Sequence, residues 1–254
     1  MQGFHMIQLT EERLTLNINT VYLWLINIDN EIENMDHLRQ LLSIEEMDRA
    51  NRFVFEKDKQ RYIVTHSILR LIISKIISLE PLSIRFTVKK RDKPCLNHPE
   101  HQDIHFNLSH SGKYIIIALA LKTELGIDIE FINPVLDRDQ MVLSFCSKQE
   151  IDTYHQLPVD LKIKAFYTCW SRKEAFIKAI GEGLYFPLND FSASIDSRTK
   201  PELTFHGKVP FHQNWTILDI PLDDKDYVSA LVFEGSGYQV QFNYWTTWGH
   251  REKW

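Results

Sequence analysis

Apolar residues follow two periods along this chain. From Val21 to Ile28 they form a run rich in β-branched and aromatic side chains, as a buried strand requires. From Lys57 to Leu79 they recur at Tyr62, Leu69, Ile73, Ile76 and Ile77, the spacing of one helix face, and Pro81 lies just beyond. Short strands are predicted near Ile84–Val88 and Ile104–Leu108, and a longer one at Tyr114–Leu121. The second half repeats the order. It holds a strand at Gly126–Ile132, a long helix near Asp160–Ile180 with Gly181 as its C-cap, and strands near Phe191, Trp215, Val228 and Tyr238.

The repeat extends to helix starts. Ser43 has Glu46 three positions on and Ser147 has Glu150, the pattern of a capping box. Ile26-Asn27-Ile28-Asp29 echoes Ile127-Asp128-Ile129-Glu130, and His66-Ser67 echoes Trp170-Ser171, at nearly constant offset. We read a degenerate duplication. It predicts an α+β fold of two similar lobes related by pseudo-twofold symmetry, each a long helix on a small, mainly antiparallel sheet. The lobes divide as 1–122 and 123–254, and a chain that contains its own pseudo-dimer is expected to be a monomer.

Some charges interrupt the apolar pattern. Alternate strand residues share a face, so Asp128 and Glu130 project together, opposite Ile127, Ile129 and Phe131. On the long helix Trp170, Glu174 and Lys178 lie at i, i+4 and i+8 with Lys173 adjoining, while Ala165, Cys169, Phe176 and Ile180 form a separate apolar stripe. A wet Glu174–Lys178 pair, worth about 0.3 kcal/mol, is the plain alternative. The large Trp170 on the same stripe argues that this face is covered. If helix and strand share a lobe, three carboxylates meet, and they cannot all stay ionised without a cation. Carboxylate oxygens completed by phosphate and water suit Mg²⁺, or Mn²⁺ in its place; zinc or iron would call for a His or Cys set. For the phosphate, Phe106-Asn107-Leu108-Ser109-His110-Ser111-Gly112 closes a strand in a turn of small donors. Lys93, at a Pro94 turn, and Arg61, on the first long helix, have no acidic residue immediately beside them in this reading.

Charge and composition narrow the class. A net charge of -5 disfavours a nucleic-acid partner, although basic clusters run through Arg49, Arg52, Lys57, Lys59 and Arg61 and through Arg85, Lys89, Lys90, Arg91 and Lys93. Cys95, Cys146 and Cys169 show neither disulfide nor zinc spacing, which points to a reducing, cytoplasmic setting. No secretion signal is visible, and the apolar run Ile68–Leu79 is interrupted and too short to span a bilayer, so no membrane partner is expected.

The ordered set of Phe106–Gly112, Gly126-Ile127-Asp128-Ile129-Glu130 and Trp170-Ser171-Arg172-Lys173-Glu174-Ala175-Phe176-Ile177-Lys178 resembles the three signatures of the 4'-phosphopantetheinyl transferases. The likeness is to the longer, pseudo-dimeric type that includes the activator of surfactin synthetase. Lys93-Pro94-Cys95 before the first signature and Gly183-Leu184 with Pro187 after the third also match, and the resemblance runs from about residue 42 to 195. It implies transfer of the phosphopantetheine arm of coenzyme A to a serine of an acyl or peptidyl carrier protein, releasing adenosine 3',5'-bisphosphate. By matching positions, Asp128, Glu130 and Glu174 would hold Mg²⁺ against the pyrophosphate. Glu174, directly or through a water, would take the serine proton, Lys178 would neutralise or protonate the leaving phosphate, and Lys173 would add charge nearby. Ser109 and His110 would meet the 3'-phosphate with Lys93 and Arg49 in support; Arg61 is added on its charge and location.

Departures are Asp92, where the family often has Gly, and Glu46, at a position that some members use for phosphate. The segment Tyr244–Trp254 has no counterpart and is expected to pack on the second lobe. The first lobe shows Asn27, Asp29 and Arg70 where the second has Asp128, Glu130 and Glu174, so it is assigned the nucleotide end of coenzyme A. Two other readings use the same residues: a Mg²⁺-dependent phosphohydrolase or nuclease, and a catalytically silent carrier-binding module. Net acidity disfavours the first, and the intact acidic set and Lys178 disfavour the second.

Overall fold

Residues 13–88, 93–134, 137–183, 186–206 and 214–246 are described by the structure, a computed structural model. Lys89, Lys90, Arg91, Asp92, Leu184 and the residues from Thr247 to Trp254 lie outside the described residues. The first lobe runs β1 (Thr20–Asn27), α1 (Met35–Gln40), α2 (Ile44–Ala50), α3 (Glu56–Ile77), β2 (Phe86–Val88), β3 (Pro94–Leu96), β4 (Ile104–Ser111) and β5 (Tyr114–Leu121). The second runs β6 (Leu125–Phe131), α4 (Arg138–Phe145), α5 (Lys148–Gln156), α6 (Val159–Ile180), β7 (Phe191–Ala193), β8 (Leu203–Phe205), β9 (Trp215–Asp219), β10 (Tyr227–Glu234) and β11 (Gln239–Tyr244).

Period-2 patterning decides the layers. Val21, Leu23 and Leu25 of β1, with Ile116, Ala118 and Ala120 of β5, pack against Ile127 and Ile129 of β6 and Leu231 and Phe233 of β10. The intervening residues face outward. Tyr22, Trp24, Ile26, Ile115 and Ile117 meet Ile68, Leu69 and Ile72 of α3, whereas Ala230 and Val232 meet Ala175, Phe176 and Ala179 of α6. Two sheets therefore lie between two long helices, each helix covering the outer face of one sheet.

The lobes repeat in detail. Both α3 and α6 have 22 residues and end on a left-handed cap, Ser78 at φ 57° and Gly181 at φ 67°. Both capping boxes are complete, Ser43 with Glu46 and Ser147 with Glu150. Counted from the helix starts, Arg70 corresponds to Lys173. The echo read from matched letters, Arg70 with Glu174, is one residue out of register.

The C-terminal strand departs from the division at 122/123. The first sheet has the order β11-β1-β5-β4, with β11 parallel to β1, while β6, β10 and β9 form an antiparallel sheet. A second-lobe strand thus covers the edge of β1, whose backbone groups would otherwise lack partners. Trp245 follows it, donating its backbone N–H to the Leu25 carbonyl at 2.8 Å and burying its ring in the first-lobe core. For Trp245, packing on the second lobe is overturned. Among the described residues no helix is long and apolar enough to cross a membrane.

Candidate active site

The long helix lies against the even-numbered face of β6, where Gly126, Asp128 and Glu130 alternate, and a Cβ at Gly126 would overlap the Ala175 carbonyl and the Ala179 amide. Close approach of α6 is what this glycine permits. From the other side, alternate side chains of β4 reach across to β6. Asn107 Oδ1 accepts from Ile127 N at 2.9 Å, Ser109 Oγ donates to Asp128 Oδ1 at 2.9 Å, and Ser111 Oγ donates to Glu130 Oε2 at 3.0 Å.

Lys178 Nζ donates to Asp128 Oδ1 at 2.6 Å, Ser109 Oγ at 2.9 Å and the Ile127 carbonyl at 3.3 Å. Trp170 Nε1 donates to Glu130 Oε1 at 3.1 Å. So Asp128, Glu130, Trp170 and Lys178 are brought together, and Glu174, one turn from both Trp170 and Lys178 on α6, shares their face of the helix. Two oxygens are left over: Asp128 Oδ2 and Glu174 Oε1 are buried and make no hydrogen bond. A buried carboxylate oxygen without a donor is costly. Hard oxygen ligands with unspent lone pairs fit a divalent cation of the Mg²⁺ kind.

Electrostatics agree with that fit. Desolvation, then the Asp128 charge, push Glu130 up to about 7 against the bonds from Ser111 and Trp170. Glu174 is raised first by desolvation and further by Asp128, with Lys178 opposing. A raised carboxyl contributes stability that is full below its ordinary value of 4.5 and is lost as pH climbs through about 7. The metal-free protein should therefore lose on the order of 1–3 kcal/mol from Glu130 across this window. Added Mg²⁺ should raise the thermal midpoint more at pH 7.5 than at pH 5.5. Calorimetric scans across the window check both, and a flat Mg²⁺ effect would refute the coupling.

The expected phosphate residues divide into separate groups. Ser109 faces Asp128 from within β4, paired with β5, so Ser109-His110-Ser111 is strand and not a turn cradle. His110 points the other way along the alternation; its pKa is lowered by desolvation and then by Arg61. Arg61 is paired with Asp58 one helical turn back, and Arg49 lies over the Tyr62 ring at 5.7 Å. Lys93 Nζ donates to Glu124 Oε2 at 2.8 Å, the Ala179 carbonyl at 2.9 Å and the Leu125 carbonyl at 3.2 Å. Hence the expectation that Arg61 and Lys93 have no acidic neighbour is wrong. Asp58 is adjacent through helical spacing, and Glu124 through tertiary contact. Pro94 and Lys93 line a cleft of about 450 Å³ with His105, Phe106 and Glu124.

Lys173 does not join the cluster. Fully buried, it donates to Glu150 Oε2 at 2.8 Å and to the Leu188 and Phe191 carbonyls at 2.6 and 2.7 Å. Neighbours on a helix are turned by about 100°, enough to send Lys173 toward α5 while Glu174 faces β6. Glu46 is likewise internal, closing its capping box and accepting from Arg70 Nε at 2.8 Å. Sequence reading places Asn107 and Ser111 in a phosphate turn and Trp170 on a covered stripe, whereas all three bond to β6. The alternation of Asn107, Ser109 and Ser111 was the available signal, once their strand is set beside Asp128 and Glu130.

Comparisons with known proteins cover both lobes. Residues 124–232 match the 4'-phosphopantetheinyl transferase superfamily, and residues 30–122 match the N-terminal region of 4'-phosphopantetheinyl transferases. The 4'-phosphopantetheinyl transferase HetI of a Nostoc species is 31% identical over 230 residues, spanning 90% of this chain and 94% of that protein. The Sfp transferase of Bacillus subtilis is 34% identical over 163 residues, 64% of this chain and 70% of that one. A crystal structure of Thermotoga maritima holo-[acyl-carrier-protein] synthase aligns over 44% of this chain and 62% of its own at 22% identity, with a TM-score of 0.35.

Proposed function

Because the chain belongs to the 4'-phosphopantetheinyl transferase superfamily, whose members transfer phosphopantetheine to carrier proteins, we propose that it takes the arm from coenzyme A and delivers it to a serine of an acyl or peptidyl carrier protein, with Mg²⁺ held by Asp128, Glu130 and Glu174. The observation that carries the metal assignment is the pair of buried, unpartnered oxygens Asp128 Oδ2 and Glu174 Oε1 beside Lys178. Bound there, Mg²⁺ would neutralise pyrophosphate oxygens as charge builds on them.

The remaining chemistry rests on side chains of this chain. Glu174 accepts the serine proton as the serine oxygen attacks. The serine oxygen forms a bond to phosphorus as the bond to the bridging pyrophosphate oxygen breaks, releasing adenosine 3',5'-bisphosphate. Lys178, anchored by Ser109 and Asp128, balances the leaving charge. His110, whose charge Arg61 opposes, is assigned the nucleotide phosphate together with Arg61 and with Arg49 over the Tyr62 ring. A monomer is proposed, since the pseudo-twofold lies inside one chain, and a cytoplasmic setting, since Cys95, Cys146 and Cys169 are free thiols.

Incubation with coenzyme A, Mg²⁺ and an unmodified carrier protein should add one phosphopantetheine to the carrier, read by intact mass. Omission of Mg²⁺ should abolish the gain. A carrier mass that never changes with any of several acyl and peptidyl carriers would sink the proposal.

A further inference from the structure

We propose that Glu150 and Lys173 form a positioning pair that sets the rotation of α6, so that Glu174 and Lys178 face β6. On this view Lys173 acts through the helix and not on the phosphate. The inference rests on the functional reading above and adds Glu150 to the residues the reaction needs.

Glu150 is a node between three elements. Its Oε2 accepts from Ser147 N at 2.6 Å and Lys173 Nζ at 2.8 Å, and its Oε1 from Ala193 N at 2.7 Å and the Cys169 thiol at 3.3 Å. The start of α5, the middle of α6 and β7 thus converge on one buried carboxylate. Lys173 is held from the opposite side by the Leu188 and Phe191 carbonyls and lies 4.5 Å from the Phe191 ring centroid. Such a cation has no freedom to follow a reacting phosphate. Its neighbour Glu174 takes its direction from it, because adjacent helical residues keep a fixed angle.

The first lobe provides an internal control. There the capping-box Glu46 holds Arg70, and Arg70 and Lys173 occupy the same place, the fifteenth residue, of two 22-residue helices. Both are buried cations paired with the glutamate of a capping box. The following residue is Leu71 in the first lobe and Glu174 in the second. A device present in the lobe without the carboxylate cluster is a helix anchor, and in the second lobe that anchor bears on the residue next to it.

The test uses the full chain with Glu150→Gln, Lys173→Met and the double variant. Mn²⁺ binding is followed by electron paramagnetic resonance of the free ion without substrate, and the Mg²⁺ concentration for half-maximal transfer is measured alongside. Each single variant is expected to weaken Mn²⁺ binding roughly tenfold and shift the Mg²⁺ midpoint in parallel, leaving KM for the carrier unchanged. The double variant should be no worse than the weaker single one, as for two halves of one contact. An enzyme that was only less stable would lose rate yet keep its Mg²⁺ midpoint. Should Glu150→Gln not fold, Glu150→Asp keeps the charge with a shorter reach and is expected to show a smaller shift of the same kind. Wild-type metal binding in a folded Glu150 variant, or loss of transfer in Lys173→Met with normal transfer in Glu150→Gln, overturns the proposal. A wild-type enzyme that transfers nothing would defeat the functional reading instead and leave the Mn²⁺ measurement to decide this one.

Discussion

Glu174→Gln is expected to lower the transfer rate by about 10²–10⁴-fold while leaving the thermal midpoint unchanged or higher. The two effects have one origin. Glu174 Oε1 is buried without a hydrogen-bond donor, and desolvation raises the pKa of its carboxyl. An amide of the same shape removes a charge that the folded metal-free protein disfavours, so stability does not suffer. On the roles proposed for Glu174, catalysis would lose both a metal ligand and the serine's proton acceptor. Turnover measured at saturating Mg²⁺, with a melting curve on the same sample, checks the pair of outcomes. Near-normal turnover would remove Glu174 from both roles, and a large fall in midpoint would mean that the side chain is a structural partner.

Gly126→Ala should be as damaging through geometry alone. The added methyl would overlap the Ala175 carbonyl oxygen and the Ala179 amide nitrogen, both backbone atoms of α6 that no rotamer change can move aside. Overpacking of this kind costs about 1–3 kcal/mol, and more where the backbone itself must shift. The shift would carry Glu174 and Lys178 away from Asp128, and a displacement of about 1 Å in a reacting group can cost about 10²-fold in rate. Expected, then, are a lower thermal midpoint and a transfer rate reduced at least as much as the stability loss explains. A folded variant with unchanged rate would show that α6 has slack at this crossing.

How far the chemistry was legible before folding is clear from particular residues. Alternation alone set Asp128 and Glu130 on one face, and helical spacing set Trp170, Glu174 and Lys178 on one stripe, because these relations depend only on local backbone geometry. The capping boxes at Ser43 and Ser147 and the C-cap at Gly181 are equally local. Order and spacing of the three signatures were enough to indicate the family, since they are properties of the chain as written.

Partnership was another matter, because it depends on which surfaces meet. Nothing local distinguishes Lys173 from Lys178 as cations five residues apart on one helix; folding buries the first against Glu150 and pairs the second with Asp128. Lys93 looked unopposed until Glu124 was folded against it, and Ser109 looked like part of a loop until β5 paired with it. The C-terminal strand crosses to β1 because an open sheet edge elsewhere in space accepts it, a long-range match that no window of sequence contains. Periodicity thus determined the elements and the faces they present. Packing and desolvation between distant elements decided which charges are spent on structure and which buried oxygens, such as Asp128 Oδ2 and Glu174 Oε1, are left without a donor.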